Sequence, residues 1–449
     1  FIYSSIIKFL YIFIISKFKG ITMKHKFFLV LYLSFFSQLS LASESNSGDT
    51  AWILTSTALV LFMTLPGLAL FYGGLVRSKN VLSVLMQCFT IACLISVCWV
   101  VYGYSLAFKG NGMIIGDLSA LFLNGIGRNA MSGTLPETVF ITFQMTFAII
   151  TPALVVGAFA ERMKFSAMCI FSVAWFTLVY LPACHMVLGV VYLGSIGVID
   201  FAGGLVVHAT CGIGALVAAI FLGRRNGFPS APMPPHNRTM VMIGASMLWV
   251  GWFGFNGGSA VAADSSAGMA MLVTHISAAV GALTWMAIEW FKSGKSTLVG
   301  ICTGMVAGLA TITPASGTVG PAGALLIGLL AGSICFYATQ LVKAYFKIDD
   351  SLDVFPVHGV GGILGVLALC FVGNPDGFLG SGAAGISDDG LMDQLRIQII
   401  GIVVIGLWTA VMSYGILKVL SYFVPIRVSL DEENEGLDIN EHNEQGYSL

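Results

Sequence analysis

The stretch VHATCGI, residues 207–213, returns as VHGVGGI at 357–363. Each copy sets a histidine inside a long apolar run. An ionisable side chain at membrane depth is expensive and ordinarily faces the interior of a helix bundle. The first copy overlaps a preceding stretch, DFAGGLVVH (200–208), which places a carboxylate eight residues before the imidazole. A second pair of matches, FYGG (71–74) and FNGG (255–258), precedes the histidine pair in the same order. Short glycine-rich matches arise by chance one at a time. Two in the same order describe a duplication.

Composition supplies the setting. Of 449 residues, 57% are hydrophobic and only 10% charged, and the mean hydropathy is +0.90. A soluble chain carries about 25% charged residues, so this is an integral membrane protein. A net charge of -1 leaves no basic surplus for nucleic acid. The nine cysteines all lie in apolar stretches without a CxxC pair and read as packing residues, not as a disulfide framework or metal site.

Eleven segments of roughly membrane length follow one another. Their approximate cores are 51–76, 81–106, 137–160, 165–188, 200–222, 238–259, 266–291, 296–313, 319–342, 354–372 and 394–424. The two repeats therefore pair spans 1–5 with spans 6–10. Five is odd, so the second copy crosses the membrane the other way. That is the inverted repeat of many transporters, with the site near the midplane between the halves. The predicted fold is all-α: eleven transmembrane helices, an inverted five-helix repeat plus a final helix. The 53 glycines suit close helix packing in lipid.

Ahead of the spans, MKHKFFLVLYLSFFSQLSLASES from Met23 has the basic start, apolar run and small residues of a secretory signal peptide, with cleavage expected after Ala42. Residues 1–22 begin with Phe and read as an upstream extension. The alternative, one uncleaved apolar span over 1–41, fits less well with the small polar residues that follow. Residues 43–424 then form the transmembrane domain and 425–449 an acidic tail. Arg77 and Lys79, Arg162 and Lys164, Arg224, Arg225 and Arg238, Lys292 and Lys295, and Lys343 and Lys347 follow the odd-numbered spans. The positive-inside rule puts the N-terminus outside and the tail in the cytoplasm.

Three sets of residues carry candidate chemistry. His208 and His358 come first. A single intramembrane histidine is as often a core residue bonded to a carbonyl. Two at equivalent places of a repeat favour function. Side by side, neutral imidazoles share a hydrogen bond and offer a donor and an acceptor in an apolar tube. Two ligands leave a metal site incomplete, and no third is evident. Asp200 and Asp353 are second. Asp200 reads equally as a helix cap and as a charge favouring a cation in the outer vestibule; Asp353 reads as an inner-mouth cap. Aromatic residues are third: Phe143 and Phe147 in FQMTF share a helix face, and Trp252, Phe253 and Phe255 sit in WFGFNGGS. Packing is their commonest role. Beside a histidine pair they suit a gate, or a face for an ammonium-like cation worth about 2 kcal/mol when desolvated. Ser259 adds a hydrogen bond there.

A bare ion in hydrocarbon costs tens of kcal/mol. No TVGYG-like carbonyl filter is present to replace its hydration. Ammonium avoids the cost by leaving its proton behind and crossing as ammonia; potassium has no proton to leave. Water or another small amine is not excluded by this reasoning.

At these residues the chain resembles the ammonium transporter family (Amt, with its Mep and Rh relatives), in its bacterial Amt-type form. The match runs from about residue 50 into the tail, through LALFYGGLVRSKNVLS, VVGAFAERMKFSA, DFAGGLVVH, WFGFNGGSA, ITPASGTVGP, VHGVGGILG and GLDINEH, in family order. The resemblance implies a homotrimer with a pore through each subunit, set in the bacterial inner membrane, with no cofactor. It implies that Phe147 and Phe255 form a stacked gate, that His208 and His358 are the pore pair, and that Asp200 is the vestibule aspartate. Phe143, Ser259 and Trp252 fall at the outer cation site, and Thr313 at a pore-adjacent position. In HMVLGVV the family usually has Trp where this chain has Leu188, which removes one cation–π wall of that site. The tail segment GLDINEH is similar to one that contacts neighbouring subunits and helps form the face blocked by a PII-type regulatory protein. A sensor that binds ammonium and transports little is the alternative; it calls for an appended signalling domain, which the short tail does not supply. A membrane enzyme is disfavoured, because no nucleophile–base–orienter set is legible.

Overall fold

In the computed structural model, residues 45–373 and 390–447 are described. The expected signal peptide, 23–42, and the extension expected before it lie outside them. Eleven helices among the described residues are long and apolar enough to cross a membrane. They are α1 (Ser47–Leu75), α2 (Ser78–Phe108), α3 (Glu137–Phe159), α4 (Phe165–Val187), α5 (Gly204–Leu222), α6 (Arg238–Gly257), α7 (Ser265–Ser293), α8 (Leu298–Ala315), α9 (Pro321–Tyr345), α10 (Phe355–Val372) and α11 (Leu391–Phe423). Each matches a span expected from the sequence, with ends shifted by a few residues. In lipid every backbone group must be satisfied internally, and continuous helices do this.

Helix starts follow from side-chain chemistry. Asn46, Asn237, Asp264 and Thr297 each accept a hydrogen bond from a backbone N–H in the first turn of α1, α6, α7 and α8, satisfying donors the helix itself leaves free. Between α2 and α3 a short hairpin pairs β1 (Met131–Ser132) with β2 (Leu135–Pro136).

Several helices contain a widened π-type turn, and six of the seven among the described residues fall in repeat-related helices, the exception being Trp99–Gly103 of α2, whose partner α7 is regular. Such turns occupy Met63–Leu68 of α1 and Phe253–Gly257 of α6, Phe176–Tyr180 of α4 and Leu341–Tyr345 of α9, and Gly204–Ala209 of α5 and Phe355–Gly359 of α10. Turns of this kind interrupt the regular ladder and frequently mark functional positions. The two histidines sit in the last equivalent pair.

Helices α3, α5 and α8 are the most enclosed, and α11 the least. The central contact is between α5 and α10. A Cβ on Gly212 would lie 2.3 Å from Gly359 Cα, and one on Gly362 would lie 2.8 Å from His208 Cβ. Only glycine permits this approach, the small-residue packing that joins helices where lipid gives no hydrophobic drive.

The basic loops after odd-numbered helices gather at one end. Arg162 is buried there and donates to Gly223 O (2.9 Å), Ser351 Oγ (2.7 Å) and Asp349 O (2.7 Å). Arg225 grips Asp349 through two nitrogens, at 2.9 and 2.8 Å, and reaches Glu161 at 2.9 Å. Arg77 pairs with Glu161 from the other side. The tail folds over this end as α12 (Leu430–Glu435) and α13 (Leu437–His442). Asp438 accepts from Leu82 N (3.1 Å) and Ser83 N (2.8 Å) at the start of α2. Glu433 accepts from Asn226 N and from Arg427, both at 2.7 Å.

Candidate pore

The site is built from α5 upward. Gly203 adopts φ +108° just before the helix, a left-handed conformation open to glycine. That turn aims four successive backbone N–H groups at Asp200. Its carboxylate accepts from Gly203 N (3.1 Å), Leu205 N (2.9 Å) and Val206 N (3.1 Å), and also from Gly204 N. Of the two roles open in the sequence, the geometry displays the cap: both oxygens are occupied by the helix that carries His208.

His208 and His358 meet. Their Nδ1 atoms are 3.2 Å apart, with ring centroids 5.2 Å apart and planes inclined by 21°. One N–H···N bond requires opposite tautomers in two neutral rings, so each fixes the other. Both side chains are buried. The Nε2 atom of His208 has no protein partner among the described residues.

Aromatic rings lead away from the pair in one direction. Phe255 lies 5.9 Å from the His208 ring, Phe147 lies 4.3 Å from Phe255, and Phe143 lies 5.0 Å from Phe147. Trp252 stacks on His208 at 5.4 Å, and its indole N–H donates to Thr313 Oγ1 at 2.9 Å. Thr313 in turn donates to Leu309 O. Ser259 Oγ is turned back onto Phe255 O at 2.8 Å. Leu188 ends α4 and is half-buried.

The imidazoles line an enclosed cavity with Tyr72, Trp252 and Phe255, whose free space is about 10 Å³, enough for about one water-sized molecule. His358, Phe71 and Tyr72 also line a vestibule of about 230 Å³ on the tail side, walled by Lys343, Ser351 and Asp353. The passage is therefore closed by rings on one side and approached by open space on the other. Between them the wall is apolar apart from the histidines. It suits a small neutral molecule that can both donate and accept a hydrogen bond, and it penalises a bare ion.

The model matching the chain over residues 51–447 is that of the Ammonium Transporter Family. This protein belongs to the ammonium transporter family. A putative ammonium transporter of Methanothermobacter thermautotrophicus is 44% identical, the match covering 90% of this chain and 99% of the relative. The ammonium transporter of Bacillus subtilis is 42% identical, covering 89% and 98%. Among solved structures, Saccharomyces cerevisiae Mep2 superposes with a TM-score of 0.79 at 35% identity, covering 87% of this chain and 90% of that one. A Sensor Amt Protein superposes with a TM-score of 0.80 at 28% identity, covering 88% and 98%.

Within this family member, two placements depart from the sequence reading. Asp350, not Asp353, caps α10, accepting from Phe355 N at 2.7 Å; Asp353 instead pairs with Lys343 at 2.7 Å on the vestibule wall. Two aspartates three residues apart look alike in sequence, and only the turn decides which faces the helix. Burial, reinforced by Asp353 nearby, pushes the Asp350 carboxyl up to about 6. Cys211 is the second. Read as packing, it stands beside the imidazole pair, with Sγ 3.4 Å from His208 O. Its signal was the spacing of three from His208, which shares a helix face.

Proposed function

We propose that this protein transports ammonium by conducting ammonia past His208 and His358, with the proton crossing separately. The carrying observation is the 3.2 Å contact between the two Nδ1 atoms beside a cavity for one small molecule. Ammonium arrives at the outer mouth near Asp200, Phe143 and Ser259; Trp252, expected there from the resemblance, stacks on His208 and lines the pore below the gate. One N–H bond breaks there as solvent water at the mouth accepts the proton, ammonia passes the Phe147 and Phe255 gate, and the imidazole pair relays a proton inward. Proton and ammonia rejoin as ammonium on the far side, so charge and atoms balance. With Leu188 in place of an aromatic wall, cation recruitment is weaker than a third ring would give. Thr313 holds Trp252 against His208.

The finer placement is part of the same reading: a homotrimer in a bacterial inner membrane, N-terminus outside after signal-peptide removal, tail cytoplasmic, with a PII-type protein as the partner of the tail-side face. The likeness to a Sensor Amt Protein keeps the sensor reading in view, but identity to transporters is higher.

The deciding experiment is current in proteoliposomes after an ammonium pulse, with an equal potassium pulse as control. Current for ammonium alone is expected, falling at least tenfold when His208 and His358 are both replaced by Leu. Equal currents for the two cations, or full ammonium current in the double variant, would overturn the pore-pair mechanism. Ammonium binding without current would favour the sensor.

A further inference from the structure

The imidazole pair has a third potential donor beside it. His208, Cys211 and His358 each bring one ligand atom to within 4.8 Å of the others, and all three are buried. His208 Nε2, buried and without a protein partner among the described residues, is an independent sign of unused coordinating capacity. Around one three-coordinate ion, donors at about 2.0–2.1 Å for nitrogen and 2.3 Å for sulfur lie about 3.6–3.8 Å apart. The cluster therefore closes on an ion with a shift of up to about one ångström.

We propose that His208, Cys211 and His358 form a binding site for a soft monovalent d¹⁰ cation of the Cu(I) or Ag(I) class, and that its occupation blocks the pore. The donor set selects the ion. Thiolate with imidazole favours soft metals. The thiol proton is released as the metal–sulfur bond forms, so the thiolate and a monovalent cation together carry no net charge. A divalent ion would leave one positive charge in an apolar wall. Access is from the tail side through His358, which lines the vestibule, with Cys211 fully buried behind it. A bound ion occupies the space beside the imidazoles through which a substrate must pass. The block, though not the binding, rests on the transport reading.

Ag⁺ in chloride-free nitrate buffer is the probe, with the full chain carrying Cys211→Ser as the comparison. The other eight cysteines are common to both proteins, so their difference isolates this site. Wild type is expected to bind one Ag⁺ per chain more than the variant by equilibrium dialysis in detergent. Its Ag X-ray absorption should show mixed nitrogen and sulfur neighbours that the variant loses. Ammonium current should be inhibited at an Ag⁺ concentration at least tenfold lower in wild type, and recover with thiosulfate. Equal Ag⁺ stoichiometry in the two proteins would overturn the site; the extra ion without differential inhibition would overturn the block. Cys211→Ala serves the same comparison if the serine variant fails to fold. Binding is read without transport, so failure of the transport reading leaves the site tested.

Discussion

At the scale of the residue, Asp200 shows how a charge inside a membrane protein is used. Its carboxylate accepts from four N–H groups at the head of α5, and a hydrogen bond to a charged group contributes about 1.5–3 kcal/mol. Asp200→Ala leaves those donors buried without a partner. The expected outcome is a loss of more than about 3 kcal/mol, measured as detergent thermal unfolding, together with loss of ammonium current. Asp200→Asn keeps one acceptor oxygen and should lose less than half as much stability. If Asp200→Asn unfolds like wild type yet carries no current, the charge matters for the cation and not only for the cap.

At the scale of the element, the crossing of α5 and α10 sets the distance between the imidazoles. A methyl group on Gly212 would fall 2.3 Å from Gly359 Cα, backbone against backbone. No rotamer relieves that clash, so the helices must part. Gly212→Ala is expected to destabilise by about 2 kcal/mol or more, in the range of overpacked cores, and to reduce ammonium current with it. Gly415 is the control. It lies within α11, and a Cβ there would meet nothing within 4 Å. Gly415→Ala should be neutral or stabilising by up to about 1 kcal/mol, since alanine favours helix. Comparable unfolding midpoints for the two variants would refute this account of the crossing.

At the scale of the whole molecule, an ion network holds the tail-side loops together. Burial raises the Glu161 carboxyl, but Arg225 and Arg77 outweigh it and hold it below its ordinary value. Asp349 behaves likewise, with Arg225 outweighing burial. Both groups are ionised more readily folded than unfolded. Their stabilisation is complete above about 4.5, the ordinary glutamate range, and is lost as pH falls through the folded values. Asp350 works oppositely: raised to about 6 by burial and by Asp353, it costs stability as pH rises from about 4 to 6. Thermal midpoints from pH 3 to 8 should therefore fall below about pH 4.5 in wild type. Asp350→Asn should raise the midpoint above pH 6 relative to wild type and remove that part of the slope. Glu161→Gln leaves Arg225 and Arg77 facing a neutral amide and should cost about 3–5 kcal/mol at pH 7. A wild-type midpoint unchanged between pH 7 and 3 would remove the network from the account.

The sequence by itself determined the eleven helices, because in lipid an apolar run of membrane length has no alternative to helix. It also determined the inverted repeat and, through repeated motifs, the pairing of His208 with His358; the pairing of Phe147 with Phe255 was legible only through the family resemblance. What tertiary structure alone decided is which groups touch. Glu161, Arg225 and Asp349 come from three separate loops, and no local period records their pairing. Cys211 looked like any small core residue until α10 crossed α5 and set His358 beside it. The cap expected of Asp353 fell to Asp350 for the same reason. Periodicity and hydropathy describe a residue's own helix, whereas a hydrogen bond or a ligand set depends on a neighbour that may lie 150 residues away.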